Sequence, residues 1–77
     1  MLIKIKLLNG QIKELEVEPT DTVLNLKLML EERQGIPPPQ QRLVVGGRPL
    51  VDDKTLEESK IKPGSLISLL LSLKGGY

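Results

Sequence analysis

The stretch that decides the fold is GIPPPQQRL, residues 35–43. Gly35 predicts the end of a helix, because glycine adopts the left-handed conformation of a helix C-terminus without steric strain. The prolines that follow lack backbone N–H groups and disfavour helix before them, so they predict an extended crossover. QQRL and the two valines after it predict a strand in which Leu43 faces inward while Arg42 and Val44 face outward.

The residues before this stretch predict a β-hairpin. MLIKIKLL (1–8) and KELEVEP (13–19) alternate apolar and polar side chains, as half-buried strands do. The Asn9-Gly10 pair between them is a strong hairpin signal, because both residue types tolerate positive φ. Ile12 and Lys13 invert the alternation where the second strand starts. Either a bulge at the turn or a lysine that reaches out from the sheet edge would account for this inversion.

A helix is predicted between the Thr22 cap and Gly35. At about 100° per residue, three apolar side chains share the face that should pack on the sheet: Val23, Leu26 and Leu30. Leu24 and Leu28 lie well around the helix from that face, where a polar surface would be expected. They are the candidate for an additional interface or for weak self-association of an otherwise monomeric chain, and helix propensity alone is the alternative reason for two leucines there.

The residues after the third strand predict two more strands. Gly46-Gly47 predicts a tight turn into a short fourth strand around residues 48–50, and a loop with one helical turn then places Leu56 and Ile61 in the core. In the last strand the odd positions should face inward (Ile67, Leu69, Leu71) and the even positions outward (Ser68, Leu70, Ser72). The predicted order is β-β-α-β-β-β, an α+β fold with a mixed sheet packed on one helix and the last strand central.

The composition excludes several classes of function. The 77 residues suit one domain, and 39% hydrophobic with 27% charged residues is a globular balance. A net charge of +1 and a single aromatic residue do not favour nucleic-acid binding. Cysteine and histidine are absent, which removes zinc clusters, thiol nucleophiles and histidine acid–base catalysis. From these absences we expect no enzyme activity, metal, cofactor or nucleic-acid partner. No apolar run reaches about 18 residues, so we expect no membrane span either.

The whole chain from Met1 to Gly76 resembles the ubiquitin family. The resemblance is carried by MLIKIK (1–6), EVEPTDTV (16–23), GIPP (35–38), QQRL (40–43), the turn at Gly47, DDKTL (52–56) and the diglycine at 75–76. It implies a β-grasp domain over residues 1–72 and a C-terminal tail over residues 73–77. MLIK, Thr20, Glu31-Glu32 and Gly64-Ser65 resemble the related-to-ubiquitin (Rub, neddylation) branch in particular. Lys4, Val45 and Ser59 stand where relatives normally keep aromatic residues, and together with the leucine-rich core this leaves an engineered or strongly diverged member of the family as an alternative.

The resemblance implies a protein modifier that is itself no enzyme. In this family the carboxylate at the position of Gly76 is adenylated, passed to a cysteine and transferred to a substrate lysine by activating, conjugating and ligating enzymes. Gly75 and Gly76 suit a narrow enzyme channel because they lack Cβ atoms. Tyr77 is either a precursor extension that a processing protease removes or an added absorbance handle. Ser72 is small and uncharged, as in the Rub branch, where ubiquitin has an arginine that its activating enzyme reads.

The resemblance also implies surfaces for partners. Leu8, Val44 and Leu70 correspond to the family's recognition patch for ubiquitin-binding-type domains, and Arg42, Gly47, Arg48 and Ser68 should rim it. Ile36, Leu71 and Leu73 form a second candidate patch, although ordinary core packing explains Leu71 equally well. Of the family's acceptor lysines, Lys6 and Lys27 persist, and we expect Lys27 to be largely buried. The localisation implied is cytoplasmic and nuclear. The alternative function is a ubiquitin-like binding module, natural or engineered, that is never conjugated.

Overall fold

The computed structural model describes residues 1–72. Its elements follow the predicted order: β1 Leu2–Lys6, β2 Ile12–Glu16, α1 Val23–Gln34, a 3₁₀ turn at Pro38–Gln40, β3 Gln41–Val45, β4 Arg48–Pro49 and β5 Leu66–Leu71. Within these residues, no helix is long and apolar enough to cross a bilayer.

The strands form one five-stranded mixed sheet in the order β2-β1-β5-β3-β4. β1 and β5 run parallel, with Ile5 opposite Ile67, and the other neighbours are antiparallel. β5 is therefore the central strand, and the α+β β-grasp prediction is confirmed.

One hydrophobic core lies between α1 and the inner face of the sheet. Val23, Leu26 and Leu30 contribute the helix side of it, as predicted. The sheet and the loops contribute Ile3, Ile5, Leu7, Leu15, Val17, Leu43, Leu56, Ile61, Ile67 and Leu69.

Local chemistry sets the two ends of α1. The hydroxyl of Thr22 accepts a hydrogen bond from the Asn25 N–H at 3.1 Å, which satisfies one of the free N–H groups of the first turn. Gly35 has φ +75° and its N–H donates to the Glu31 carbonyl at 2.8 Å. A residue with a Cβ would be strained in that conformation, so the glycine ends the helix as predicted.

The prediction of a wholly extended crossover after α1 is wrong. Pro38–Gln40 forms a 3₁₀ turn in which the Gln40 N–H donates to the Pro37 carbonyl at 2.9 Å. Proline is accepted in the first turn of a helix because its missing N–H would have no partner there. The prolines therefore stop α1 and still permit a short turn that leads into β3.

Leu71 lies on the inner side of the sheet, as predicted, but the core does not enclose it, because the residue is 49% exposed. Leu71 is opposite Gln41 on β3, and Gln41 is buried. The Gln41 amide donates to the carbonyl oxygens of Lys27 and Ile36 at 2.7 and 2.8 Å. This side chain closes the end of the core, and Leu71 lies beyond it.

The inverted alternation at the start of β2 is explained by a lysine that reaches out from the sheet edge. Lys13 is opposite Ile5, on the side of the core, yet it remains exposed because β2 is an edge strand. Ile12 is opposite Lys6 and is also exposed. A long side chain at an edge can direct its charged end into water from the apolar side of a sheet.

Candidate interaction surface

Three apolar side chains lie close together on the outward face of the sheet. Leu70 is 46% exposed and is opposite Arg42, while Val44 is opposite Ser68 in the next row of the sheet. Leu8 follows β1, is 54% exposed, and lines the same depression of about 210 Å³ as Ser68 and Leu70. We call Leu8, Val44 and Leu70 the sheet patch.

A tight turn presents Leu8 at the tip of the hairpin. The Gly10 N–H donates to the Leu7 carbonyl at 3.0 Å, and the Leu7 N–H donates to the Gln11 carbonyl at 2.7 Å. Gly10 has φ +87°, a left-handed conformation that glycine adopts without strain in a tight hairpin turn. The Asn9 side-chain oxygen accepts from the Gln11 N–H at 3.0 Å and holds the turn further. The Asn9-Gly10 signal thus fixes where Leu8 sits.

Polar and cationic side chains border the sheet patch. Ser68 lies between Lys6 on one neighbouring strand and Val44 on the other. Arg42 is exposed beside Leu70. Neither Lys6 nor Arg42 forms an ion pair within residues 1–72. The patch therefore combines apolar contact area with uncompensated positive charge.

Arg48 is placed away from the rim that the sequence predicted for it. Gly46 and Gly47 both have positive φ, +56° and +80°, and their turn brings Arg48 opposite Val45. Val45 packs against the core, so Arg48 leaves the sheet on the side opposite Val44. Its guanidinium donates to the Ser59 carbonyl at 2.8 Å and lines a separate groove of about 450 Å³.

Ile36 and Leu71, from the second candidate patch, lie near each other around Gln41. Ile36 is half-buried and its carbonyl accepts from the Gln41 amide, while Leu71 is opposite Gln41 in the sheet. Because Leu71 is half in water, core packing does not account for it. Leu73, the third residue predicted for this patch, lies outside the described residues.

Ser72 is the last residue that the structure describes. Its N–H donates to the Gln40 carbonyl at 2.7 Å, and the residue is half-buried. The predicted conjugation residues Gly75 and Gly76 and the processing residue Tyr77 lie outside the described residues.

The two candidate acceptor lysines differ sharply in exposure. Lys6 is exposed on the outward face of β1. Lys27 is buried, with 7% of the residue exposed, and its amine forms an ion pair with Asp52 at 2.6 Å. Before the Lys27 amine can react, this pair must open and a proton must leave.

The outer face of α1 carries exposed leucines, as predicted. Leu24 and Leu28 are 41% and 44% exposed. The Leu24 N–H donates to the Asp52 carbonyl at 3.1 Å, so this face continues into the loop that follows β4.

The sequence analysis missed two exposed apolar side chains on the outward sheet face. Leu66 is exposed on β5 directly opposite Lys4, and Leu2 is exposed on β1 two residues before Lys4. Their outward phase follows from the same alternation that assigned Lys4 and Lys6 to the solvent side, so the signal was present.

Two groups outside the sheet patch have shifted pKa values. The Met1 ammonium has a raised pKa because it donates to the Glu16 carboxylate at 2.6 Å. The pKa of Glu58 is lowered because its carboxylate accepts from the backbone N–H of Thr55 at 2.9 Å and from the Thr55 hydroxyl. The residues from 1 to 72 contain no cluster of three or more acidic, histidine or cysteine side chains that could hold a metal ion.

Comparison with known proteins gives a consistent result. The family model described as "Ubiquitin family" matches residues 3–74. The chain is 47% identical over 76 residues to "Ubiquitin-like protein NEDD8" of Dictyostelium discoideum, with 99% of each chain covered. It is 46% identical to "Ubiquitin-like protein 1" of Schizosaccharomyces pombe and 42% identical to "NEDD8-like protein RUB3" of Arabidopsis thaliana, with 99% of this chain and 97% of each relative covered.

Proposed function

The chain belongs to the ubiquitin family, and on that premise we propose that it is a NEDD8-like protein modifier, attached by other enzymes through Gly76 to substrate lysines. One observation carries the proposal. The similarity to NEDD8-like proteins extends over 99% of the chain.

The proposed chemistry needs a free carboxylate on Gly76. Activation joins this carboxylate to AMP with loss of pyrophosphate, and an enzyme thiolate then displaces AMP to form a thioester. A lysine amine displaces the thiolate and forms the isopeptide bond. Tyr77 occupies the carboxylate in the 77-residue chain, so a processing protease must first hydrolyse the Gly76–Tyr77 bond.

Ser72 supports a preference for the Rub-type activating enzyme. Its side chain is small and neutral. The residue directly follows β5, and its N–H donates to the Gln40 carbonyl. An acidic pocket built for a guanidinium would be left with buried, unpaired carboxylates against this serine, which is unfavourable. A pocket that accepts a small side chain has no such penalty.

The sheet patch supports a second role in the same function, the docking of partner domains. Apolar side chains that converge on one sheet face are typical of interaction sites. We expect weak docking that buries less than about 1,200 Å². Ser68 in the middle of the patch does not titrate near neutral pH, so docking there should not depend on pH between 6 and 8 as a histidine contact would.

The test is a thioester assay with the chain ending at Gly76. The chain is mixed with ATP and, separately, with NEDD8-type and ubiquitin-type activating enzymes, and adducts are read on a non-reducing gel. We expect a thiol-sensitive adduct with the NEDD8-type enzyme. Ser72→Arg is the matched variant, and it should move charging toward the ubiquitin-type enzyme.

The competing function is a binding module that is never conjugated, and the sheet patch is the observation that favours it. The same assay separates the two functions. A folded chain that charges neither enzyme, yet still binds partner domains through Leu8, Val44 and Leu70, would establish the binding module.

A further inference from the structure

Two surfaces of the chain carry opposite charge around exposed apolar side chains. The first is the sheet patch with Lys6 and Arg42. The outward positions of the three inner strands contain no acidic residue: Leu2, Lys4, Lys6, Arg42, Val44, Leu66, Ser68 and Leu70.

The second surface is the outer face of α1, which we call the helix face and define as Leu24, Leu28, Glu31 and Glu32. Leu24 and Leu28 are one turn apart and both are exposed. Glu31 and Glu32 are three and four residues after Leu28, so they flank the leucines on both sides. Neither carboxylate forms an ion pair within residues 1–72.

The basic side chains of α1 do not neutralise the helix face. Lys27 lies about 60–100° around the helix from Leu24 and Leu28, and its charge is already paired with Asp52, with the residue buried. Arg33 is about 140–180° around the helix from Leu24 and Leu28, by the 100° spacing of helical residues. The helix face therefore presents two leucines between two carboxylates.

We propose that the helix face of one copy docks on the sheet patch of a second copy. The helix face offers apolar anchors at i and i+4 with flanking acids, and the sheet patch offers an apolar surface with Lys6 and Arg42 beside it. Apolar burial supplies affinity in such a contact, and charge complementarity fixes the orientation.

The geometry makes this association head-to-tail. α1 packs on the inner face of the sheet, whereas the sheet patch is on the outward face, so the two surfaces point in opposite directions. One molecule cannot satisfy both surfaces internally. Each added copy leaves one free helix face and one free sheet patch, so the contact can propagate from one copy to the next.

Both surfaces are small, so the contact is weak and belongs to the micromolar-to-millimolar range. It would also cover the sheet patch, so self-association and the docking of partner domains would exclude each other. The inference does not depend on whether Gly76 is conjugated.

The test uses two complementary variants of the full chain. Leu24→Gln with Leu28→Gln removes the helix face and keeps good helix formers. Arg42→Glu with Leu70→Thr removes the sheet patch and keeps a good strand former in the central strand. Leu2→Thr, an exposed leucine outside both surfaces, is the matched control. Far-UV circular dichroism verifies that each variant is folded, and sedimentation equilibrium measures association.

The unchanged chain and the Leu2→Thr control should associate as concentration rises, and association should weaken with added salt. Each double variant alone should associate at least about tenfold more weakly, which corresponds to about 1.4 kcal/mol. An equimolar mixture of the two should form a one-to-one dimer that grows no further, because one intact helix face meets one intact sheet patch.

Three results would overturn the proposal. One is a chain that stays monomeric up to millimolar concentration. Another is a sheet-patch variant that still self-associates, which would mean that helix faces pair with each other. The third is a mixture that remains monomeric.

Discussion

The two inward positions near the end of β5 offer a sharp test of the fold. Alternation along the strand assigns both Leu69 and Leu71 to the core, but only Leu69 is enclosed, with 2% of the residue exposed. Leu69 is opposite Leu43 inside the core, whereas Leu71 is opposite Gln41 at its end. We predict that Leu69→Ala destabilises the protein far more than Leu71→Ala does.

The magnitudes follow from burial. Truncating an enclosed leucine loses the transfer free energy of the removed atoms and leaves a cavity, so Leu69→Ala should lower the free energy of unfolding by about 3 kcal/mol. Leu71 is 49% exposed and leaves no enclosed cavity, so Leu71→Ala should lower it by about 1 kcal/mol or less. At about 4–8 °C per kcal/mol, the Tm values should fall by about 12–24 °C and by less than about 8 °C.

The assay is urea and thermal unfolding followed by far-UV circular dichroism, because the chain has no tryptophan and only one tyrosine. A domain of this size has about 4–11 kcal/mol of stability, so Leu69→Ala removes a large share of it. Leu69→Val is a milder variant that keeps the comparison measurable. Equal losses at positions 69 and 71 would refute the argument that Gln41 closes the core.

Three further predictions follow from local geometry. Lys6 should react with an amine-selective acetylating reagent at least tenfold faster than Lys27, because the Lys27 amine is buried and paired with Asp52. Peptide mass spectrometry measures the two rates, and similar rates would show that the pair opens readily. Gly47→Ala should lower the free energy of unfolding by about 1 kcal/mol, because φ at Gly47 is +80° although space for a Cβ is open; an unchanged urea midpoint would contradict this. Glu58→Gln should be destabilising at neutral pH. A carboxyl group whose pKa is lowered by folding stabilises the folded protein above pH 4.5, which is its pKa in the unfolded chain. This stabilisation is lost as the pH falls through the pKa of the folded state. Urea titrations from pH 7 down to about 2.5 should therefore converge for the two proteins, and a constant difference would mean that the charge of Glu58 plays no part.

Much of the fold could be predicted because several local signals agree. Thr22 and Gly35 bound a helix whose apolar residues share one face, and each signal rests on a separate physical cause. The hairpin signal at Asn9-Gly10 and the alternation on both sides of it agree in the same way. Such agreement between local preferences and the global fold is what makes a structure readable from its sequence.

The errors at Leu71 and Arg48 have a common physical reason. Alternation assigns a side chain to one side of a sheet, but it does not say whether another element covers that side. Leu71 is on the inner side and remains half exposed because Gln41 ends the core. Arg48 likewise follows its turn to Ser59 instead of the rim of the sheet patch. Both outcomes depend on residues distant in sequence, which no local pattern contains.

The outward-facing positions of the strands include exposed apolar residues that were not singled out from the sequence. Leu2 and Leu66 follow from the same alternation as Lys4, yet an isolated exposed leucine on a surface is ordinary and attracts no notice. Their proximity on β1 and β5 required the parallel register of those strands. Patches on a sheet become visible only when the strand order is known.

The central claim is that Gly76 becomes joined to a lysine of another protein. Lys74 directly precedes the diglycine, so trypsin would leave a Gly-Gly remnant on every modified lysine. The most direct measurement supplies the chain ending at Gly76 to NEDD8-type activating, conjugating and ligating enzymes with ATP and a target protein, and maps the remnants by mass spectrometry. We predict remnants on target lysines with that chain and none with the chain that retains Tyr77. A folded chain ending at Gly76 that leaves no remnant, under conditions in which a NEDD8 control does, would contradict the account.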